Sequence, residues 1–267
     1  MPYLSDYKAI LFDVDRTLIP PNREIFPEVL EILKKLHDTG VLTGLCSGRG
    51  YASLVNVFMP IFPNNAVHIL AGGSLVISNT GTVLWQQTIE PTIIDELKNL
   101  INETHSSAIF MKPDAQYAKG EILAAIHKHP WNPIGKDLDT MTPDGVGLVY
   151  IAKPSDQITA YLLNHPKLSF KDMLSNQGYQ YYDITAKGVT KALAMEEWSK
   201  ATNIALSKTI GFGDSINDFE FLQNCGFAVA MGNADYEIKA IADRVIGQVS
   251  QKGLPNYVQT ILEGNPL

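Results

Sequence analysis

Lys8-Ala9-Ile10-Leu11-Phe12-Asp13-Val14-Asp15-Arg16-Thr17 holds an uncharged apolar run that stops at an acid. A run this short, apolar at successive positions, reads as a strand covered on both faces, the habit of parallel sheets. Downstream, Phe26, Val29, Leu30, Leu33 and Leu36 recur at three- and four-residue spacing, the mark of an amphipathic helix, and Gly40 stands where it would stop. Residues 41–46 form a second apolar strand that ends at Ser47-Gly48-Arg49. Residues 51–58 read as a helix broken by Pro60 and Pro63, and 67–70 as a short strand. Strand–helix–strand alternation predicts right-handed crossovers and an α/β fold with a doubly wound parallel sheet.

The period then changes. Residues 74–78 and 82–87 flank Asn79-Thr80-Gly81, a hairpin signal, and a helical pattern of Ile93, Ile94, Leu97, Leu100 and Ile101 follows Pro91. Between about 105 and 182 short strands (109–111, 146–152) mix with short helices (120–127, 155–163) among prolines and polar turns. The first pattern returns with a helix from Lys191 to Trp198, a buried strand running into Asp214, a helix over 217–222, strands over 227–231 and 244–246, and a C-terminal helix over 254–262. The chain therefore reads as a core of residues 1–85 and 185–267 interrupted by an inserted α+β unit, residues 86–184.

The 267 residues are 45% hydrophobic and 18% charged, enough apolar content for packed cores and too balanced for a disordered or fibrous chain. The 21 basic and 28 acidic side chains leave a net charge of -7, which argues against a nucleic-acid partner bound through a basic face. Two cysteines, Cys46 and Cys225, make no disulfide framework. The first eight residues show no signal peptide, and no apolar run reaches the ~20 residues of a membrane helix. The expectation is a soluble cytoplasmic protein with no membrane partner; oligomeric state is not readable.

Chemistry concentrates at strand ends, where open α/β sheets place their ligands. Asp13 and Asp15 are two carboxylates two residues apart, one able to attack an electrophile while the other handles a proton. Asp214, Asn217 and Asp218 put three oxygen-bearing side chains at a second acidic strand end, suited to a hard cation such as Mg²⁺. Ser47 and Gly48 offer a hydroxyl and backbone N–H groups as a phosphate cradle. Lys191, opening a helix after Gly188-Val189-Thr190, can neutralise a carboxylate–phosphate centre. Each also has a plain structural reading: a polar turn, a helix cap or a solvated lysine.

Their order is more specific than any one of them. Asp13-Val14-Asp15-Arg16-Thr17, Ser47-Gly48-Arg49, Gly188-Val189-Thr190-Lys191 and Gly213-Asp214-Ser215-Ile216-Asn217-Asp218 resemble the four ordered motifs of haloacid dehalogenase superfamily phosphatases, particularly the Cof-type branch. The resemblance extends to Gly81, Met231-Gly232-Asn233-Ala234 and Gly253, and weakens in the middle, where that family carries a variable cap. Arg16 stands where the family commonly has glycine, Gly72-Gly73-Ser74 where it has Asn-Gly-Ala, and Ala192 where glycine often follows the lysine.

The resemblance implies an Mg²⁺-dependent phosphatase acting on a small phosphate monoester, a sugar phosphate or another phosphorylated metabolite. Asp13 is implied as nucleophile, forming an aspartyl-phosphate, and Asp15 as general acid and base. Asp13, the Asp15 carbonyl and Asp214 are implied to hold the metal. Ser47, Gly48, Lys191 and Asn217 are implied to bind the phosphoryl group, with Asp218 positioning the lysine or a metal-bound water. A phosphotransferase or phosphomutase on the same fold, and a non-catalytic phospho-aspartate switch, are the alternatives. Asp114, Tyr117, Lys119, Trp131 and Lys136 are candidates to face the site from the cap but read more simply as surface or cap core, and His127 and His129 as solvated.

Overall fold

The computed structural model describes residues 2–21, 24–174 and 178–267. Ala9–Phe12 lies between Thr209–Gly213 and Leu42–Leu45, parallel to both; Phe227–Ala230 and Arg244–Val245 complete a five-stranded parallel sheet. The alternation of one strand shows why the run had to be apolar throughout. Ile10 and Phe12 pack against Leu33 and Leu36 of the helix Pro27–Asp38 and Val258 and Ile261 of the helix Gly253–Leu262. Ala9 and Leu11 face the other way, onto Ala194, Met195 and Trp198 of the helix Lys191–Thr202. All four strand residues are fully buried, each large one contributing roughly 1.5–3 kcal/mol by burial. Helices on both faces make the sheet doubly wound.

Within Pro27–Asp38 the buried side chains are Val29, Ile32, Leu33 and Leu36. Leu30, expected on that face, is 39% exposed, and Phe26 precedes the helix as its N-cap. Ile32 completes an i, i+3, i+4, i+7 stripe that Leu30 misses by one position. The helix expected over 51–58 is shorter, Tyr51–Leu54, followed by a 3₁₀ turn at Met59–Ile61 that carries Pro60. The hairpin forms as Leu75–Ser78 and Val83–Gln86, joined on its other side by Val67–Leu70, and a bridge between Cys46 and Ile69 ties this small antiparallel sheet to the end of Leu42–Leu45.

A six-stranded sheet is built from residues 107–186, in the order Leu168–Leu174, Gln180–Ala186, Leu148–Ala152, Ser107–Met111, Gln116–Ala118 and Gly135–Asp137. One face, with Phe110, Val149, Ile151, Tyr182 and Ile184, is closed by Ile94, Leu97 and Ile101 of the helix Pro91–Glu103 and Ile158 and Leu162 of the helix Asp156–Asn164. The alternate residues of the same strands turn toward the carboxyl ends of the parallel sheet and line a cavity between the two. Among the described residues, no helix is long and apolar enough to cross a membrane.

Candidate active site

Three chain reversals at the carboxyl edge of the parallel sheet bring the acids together. Asp13 follows Phe12 directly, its N–H still donating to the Phe212 carbonyl at 2.9 Å. Asp214 follows Gly213, and Ser47 sits one residue beyond Cys46, its N–H on the Ile69 carbonyl at 2.9 Å. These ends adjoin because Ala9–Phe12 pairs with both neighbouring strands. Asp13, Ser47, Asp214 and Asp218 are all buried, and so is Lys191.

Lys191 opens its helix behind Thr190, whose hydroxyl caps the Leu193 N–H at 3.0 Å. Its ammonium donates to Asp218 Oδ1 at 2.6 Å, the Cys46 carbonyl at 3.0 Å and Asp13 Oδ1 at 3.3 Å. Asp218 is further held by its Oδ2, which accepts the Asp214 and Ser215 N–H groups, each at 3.1 Å. Gly213 lets this turn close: a Cβ there would stand 2.8 Å from the Asp218 side chain. Gly73 does the same for the lysine. It adopts φ +97°, and a Cβ would sit 2.4 Å from the Thr190 carbonyl oxygen.

Burial, then the nearby Asp218 carboxylate, push the Asp13 carboxyl well up, with Lys191 acting against them. Burial also pushes Asp214 up, to about 7, with Asp218 adding to the rise and Arg16 opposing it. Desolvation acts to lower the Lys191 pKa, but Asp218 and Asp13 outweigh it and the ammonium is held above its ordinary range. The pattern is that of a buried anionic cluster held by one internal cation.

Oxygens of Asp13, Asp214 and Asp218 lie within 4.8 Å of one another. Asp218 is already occupied by Lys191 and two backbone N–H groups, whereas Asp214 Oδ2 is buried and, among the described residues, accepts no hydrogen bond and has the Arg16 Nε at 3.1 Å as its ionic neighbour. An all-oxygen donor set with one under-used carboxylate oxygen fits a hard divalent cation. Thr17 orients the same carboxylate through a 3.2 Å bond to Oδ1.

Two arginines that sequence reasoning left without roles complete the geometry. Arg16 has φ +63°, donates from Nη2 to the Asn233 carbonyl at 2.9 Å, and its own carbonyl accepts from Asn233 Nδ2 at 2.9 Å. Asn233 lies in the quoted Met-Gly-Asn-Ala run, so the signal was present and its partner was not. Arg49 holds both oxygens of Asp15, at 2.7 Å each, and its guanidinium lies 4.6 Å above the Trp131 ring. Trp131 thus bears on the site through Arg49. Asp114, Tyr117 and Lys136 instead bond to one another, and Lys119 pairs with Asp139. His127 Nε2 contacts the Gly135 carbonyl, and His129 Nδ1 accepts the Trp131 N–H.

A cavity of about 910 Å³ opens over these groups, with Asp13, Asp15, Ser47, Gly48, Lys191, Asp214 and Asn217 on its core side. Asn217 is half-buried at its rim. Among the described residues the Gly48 N–H donates to no acceptor, so it is available to an anion beside the Ser47 hydroxyl.

A family model described as haloacid dehalogenase-like hydrolase matches residues 10–258. The chain is 24% identical to an HMP-PP phosphatase of Serratia proteamaculans, over 95% of this chain and 94% of that protein. It is 23% identical to the pyridoxal phosphate phosphatase YbhA of Escherichia coli, over 96% and 98%. The fold superposes on a crystal structure of a haloacid dehalogenase-like hydrolase from Bacteroides thetaiotaomicron with a TM-score of 0.83 at 18% identity, covering 96% of this chain and 99% of that one.

Proposed function

The chain belongs to the haloacid dehalogenase-like hydrolases, and from that premise we propose that it is an Mg²⁺-dependent phosphatase of small phosphate monoesters, working through a phosphoryl group carried on Asp13. The observation that carries this reading is the set of contacts around Lys191. It points Asp13 at the cavity while Asp15, two residues on, remains a separate carboxylate at the cavity wall. The phosphatase names of the relatives support the class of reaction.

In the proposed reaction an Asp13 oxygen attacks phosphorus in line with the ester oxygen, the P–O(ester) bond breaks, and Asp15 gives the departing alcohol its proton. Asp15 then takes a proton from water as the water oxygen attacks phosphorus, releasing phosphate and restoring Asp13. Ser47 Oγ and the Gly48 N–H hold phosphoryl oxygens. Asp13 and Asp214, with the Asp15 carbonyl, are the ligands proposed for Mg²⁺, which when bound supplies positive charge against the anionic ester. Asp218 positions Lys191, and Asn217 contacts the phosphoryl group from the rim. Arg49 must release Asp15 for proton transfer, and the Trp131 contact links that release to the loop that precedes Gly135–Asp137. On this reading the inserted unit is a cap that shields the reaction from water.

Hydrolysis of p-nitrophenyl phosphate, with Mg²⁺ and with EDTA, tests the proposal. Wild type turns over only with the metal, Asp13→Asn does not, and phosphate released in ¹⁸O-water carries the label. Equal rates for the two proteins would remove Asp13 as nucleophile; unlabelled phosphate would remove water as acceptor.

A further inference from the structure

The cavity-facing side of the six-stranded sheet can be read as a grid, because its register is regular. Lys171, Asp183, Tyr150 and Ile109 lie directly opposite one another across four strands. Ser169, Thr185, Leu148 and Met111 form the row on one side, and Met173, Tyr181, Ala152 and Ser107 the row on the other. All twelve line the cavity. The Ser169 row rests on the core: a Cβ on Gly72 would meet Leu148 Cδ1 at 2.9 Å, and one on Gly50 would meet Met111 Sδ at 3.5 Å. Asp183 is next, its Oδ2 only 4.0 Å from where a Gly48 Cβ would stand. A carboxylate therefore overhangs the loop assigned to the phosphoryl group.

That carboxylate is poorly placed to face phosphoryl oxygens, since two anions would repel. Among the described residues the Asp183 carboxylate accepts no hydrogen bond, and it makes no ion pair with Lys171, its Cα partner on the next strand. Burial pushes the Asp183 carboxyl up, to about 7, against Lys171 and Lys191, and burial pushes Lys171 down. An acceptor and a donor stand side by side on a half-buried wall with no hydrogen bond between them. Such groups await polar atoms of a ligand.

Beside them the wall is aromatic. The Tyr150 and Tyr181 rings are 5.1 Å apart and tilted by 35°, and the Tyr150 hydroxyl is fixed by that of Tyr179 at 3.3 Å. Ile109, Met111, Leu148 and Met173 add apolar surface around them, and Ser107, Ser169 and Thr185 place hydroxyls in the outer rows. A flat ring with a few polar edge atoms matches this wall.

Building on the phosphatase reading, we propose that Asp183, Lys171, Tyr150 and Tyr181 form the leaving-group subsite, and that it selects phosphomonoesters of alcohols bearing a planar heteroaromatic ring. Asp183 accepts a hydroxyl or N–H donor close to the ester, Lys171 donates to a ring acceptor, and the tyrosines cover the ring face.

The test compares kcat/KM, with Mg²⁺, for pyridoxine 5′-phosphate and flavin mononucleotide against glucose 6-phosphate and glycerol 2-phosphate. The expected preference for the better ring ester is at least tenfold. D183N and Y181L each reduce that preference at least fivefold, mainly by raising KM for the ring ester, with melting temperature checked for both. Equal or better turnover of the sugar ester, or a ratio that neither variant moves by twofold, overturns the proposal. Calorimetric binding of pyridoxine 5′-phosphate to D13N, and to D13N/D183N, keeps the two readings apart. If no ester is hydrolysed, the phosphatase reading falls. The subsite then stands if D183N weakens binding at least fivefold, and falls if it does not.

Discussion

Replacing Lys191 by methionine keeps most of its volume and removes the cation. The side chain is 4% exposed, and its ammonium satisfies Asp218, Asp13 and the Cys46 carbonyl at once. K191M leaves two buried carboxylates and a carbonyl without it. Breaking a buried pair by deleting one partner costs about 3–5 kcal/mol. For a chain of this size each kcal/mol moves the melting temperature by about 2–4 °C, so the drop is roughly 6–20 °C at pH 7.5 without divalent metal. The pH dependence carries a second signature. Asp13 already titrates above its ordinary range, so the folded protein binds its proton more tightly than the unfolded chain does. Stability from this group is therefore greatest at low pH and falls as pH rises through the folded value. Lys191 is the group that holds Asp13 down, so its loss enlarges that fall. Circular dichroism melts at pH 7.5 and 5.5 read both effects, and the gap between variant and wild type narrows at the lower pH. A drop below ~2 °C, or a gap that does not change with pH, would refute the view that one internal cation holds this cluster.

R16G removes the guanidinium from Asp214 and suits the positive φ, so Mg²⁺ titrated calorimetrically binds about two- to fivefold tighter, the scale of a partly exposed ion pair; unchanged or weaker binding counts against Arg16 as a competitor for that carboxylate. His68 is fully buried, with Nδ1 accepting from the Leu45 N–H and Nε2 against Asn79 Oδ1, and burial lowers its pKa to about 4 while the Asn79 bond opposes the fall. The unfolded chain protonates first, so about 3 kcal/mol of stability is lost between pH 6.5 and 4; urea unfolding of wild type and H68Q across that range would show the loss in wild type only, and parallel curves would sink the assignment. G73A forces a Cβ toward the Thr190 carbonyl at positive φ, costing about 1–3 kcal/mol and lowering kcat through the displaced Lys191 helix; wild-type turnover in a destabilised G73A would show that the two are not linked.

What could be read in the sequence follows from where each segment's partners lie. Ala9–Phe12 and Thr209–Gly213 were legible because strands covered on both faces must be apolar at every position. Leu168–Leu174 and Gln180–Ala186 were not, since one face of each packs on helices while the other carries Lys171, Asp183 and Tyr181 into a cavity, and the alternation looks like a polar loop. The helix Tyr236–Ile241 and the strands Gln116–Ala118 and Gly135–Asp137 are too short to establish a period. At the site, the acids and Lys191 were legible because they sit within compact motifs. The bonds from Arg49 to Asp15 and from Arg16 to Asp214 and Asn233 join residues 34 to 217 positions apart, and nothing local announces them.

Those long-range pairs divide the labour among the cations. Four carboxylates, Asp13, Asp15, Asp214 and Asp218, face three cations, Arg16, Arg49 and Lys191. An ammonium has three donors, and Lys191 spends all three on the protein, so on the proposed reading it fixes the nucleophile and has none left for phosphoryl oxygens. The arginine side chains are 34% and 20% exposed, and each guanidinium has more donors than its aspartate can use. Of these three, the cations that can turn toward an arriving dianion are therefore the arginines. Arg49, in turning, loosens its two-point hold on Asp15, the acid proposed to protonate the leaving alcohol. Substrate charge would release the proton donor at the moment it is needed. In W131A, which frees the guanidinium from its ring contact, that coupling should weaken, and kcat should fall more than KM rises. A pure KM effect would reduce Arg49 to a binding group.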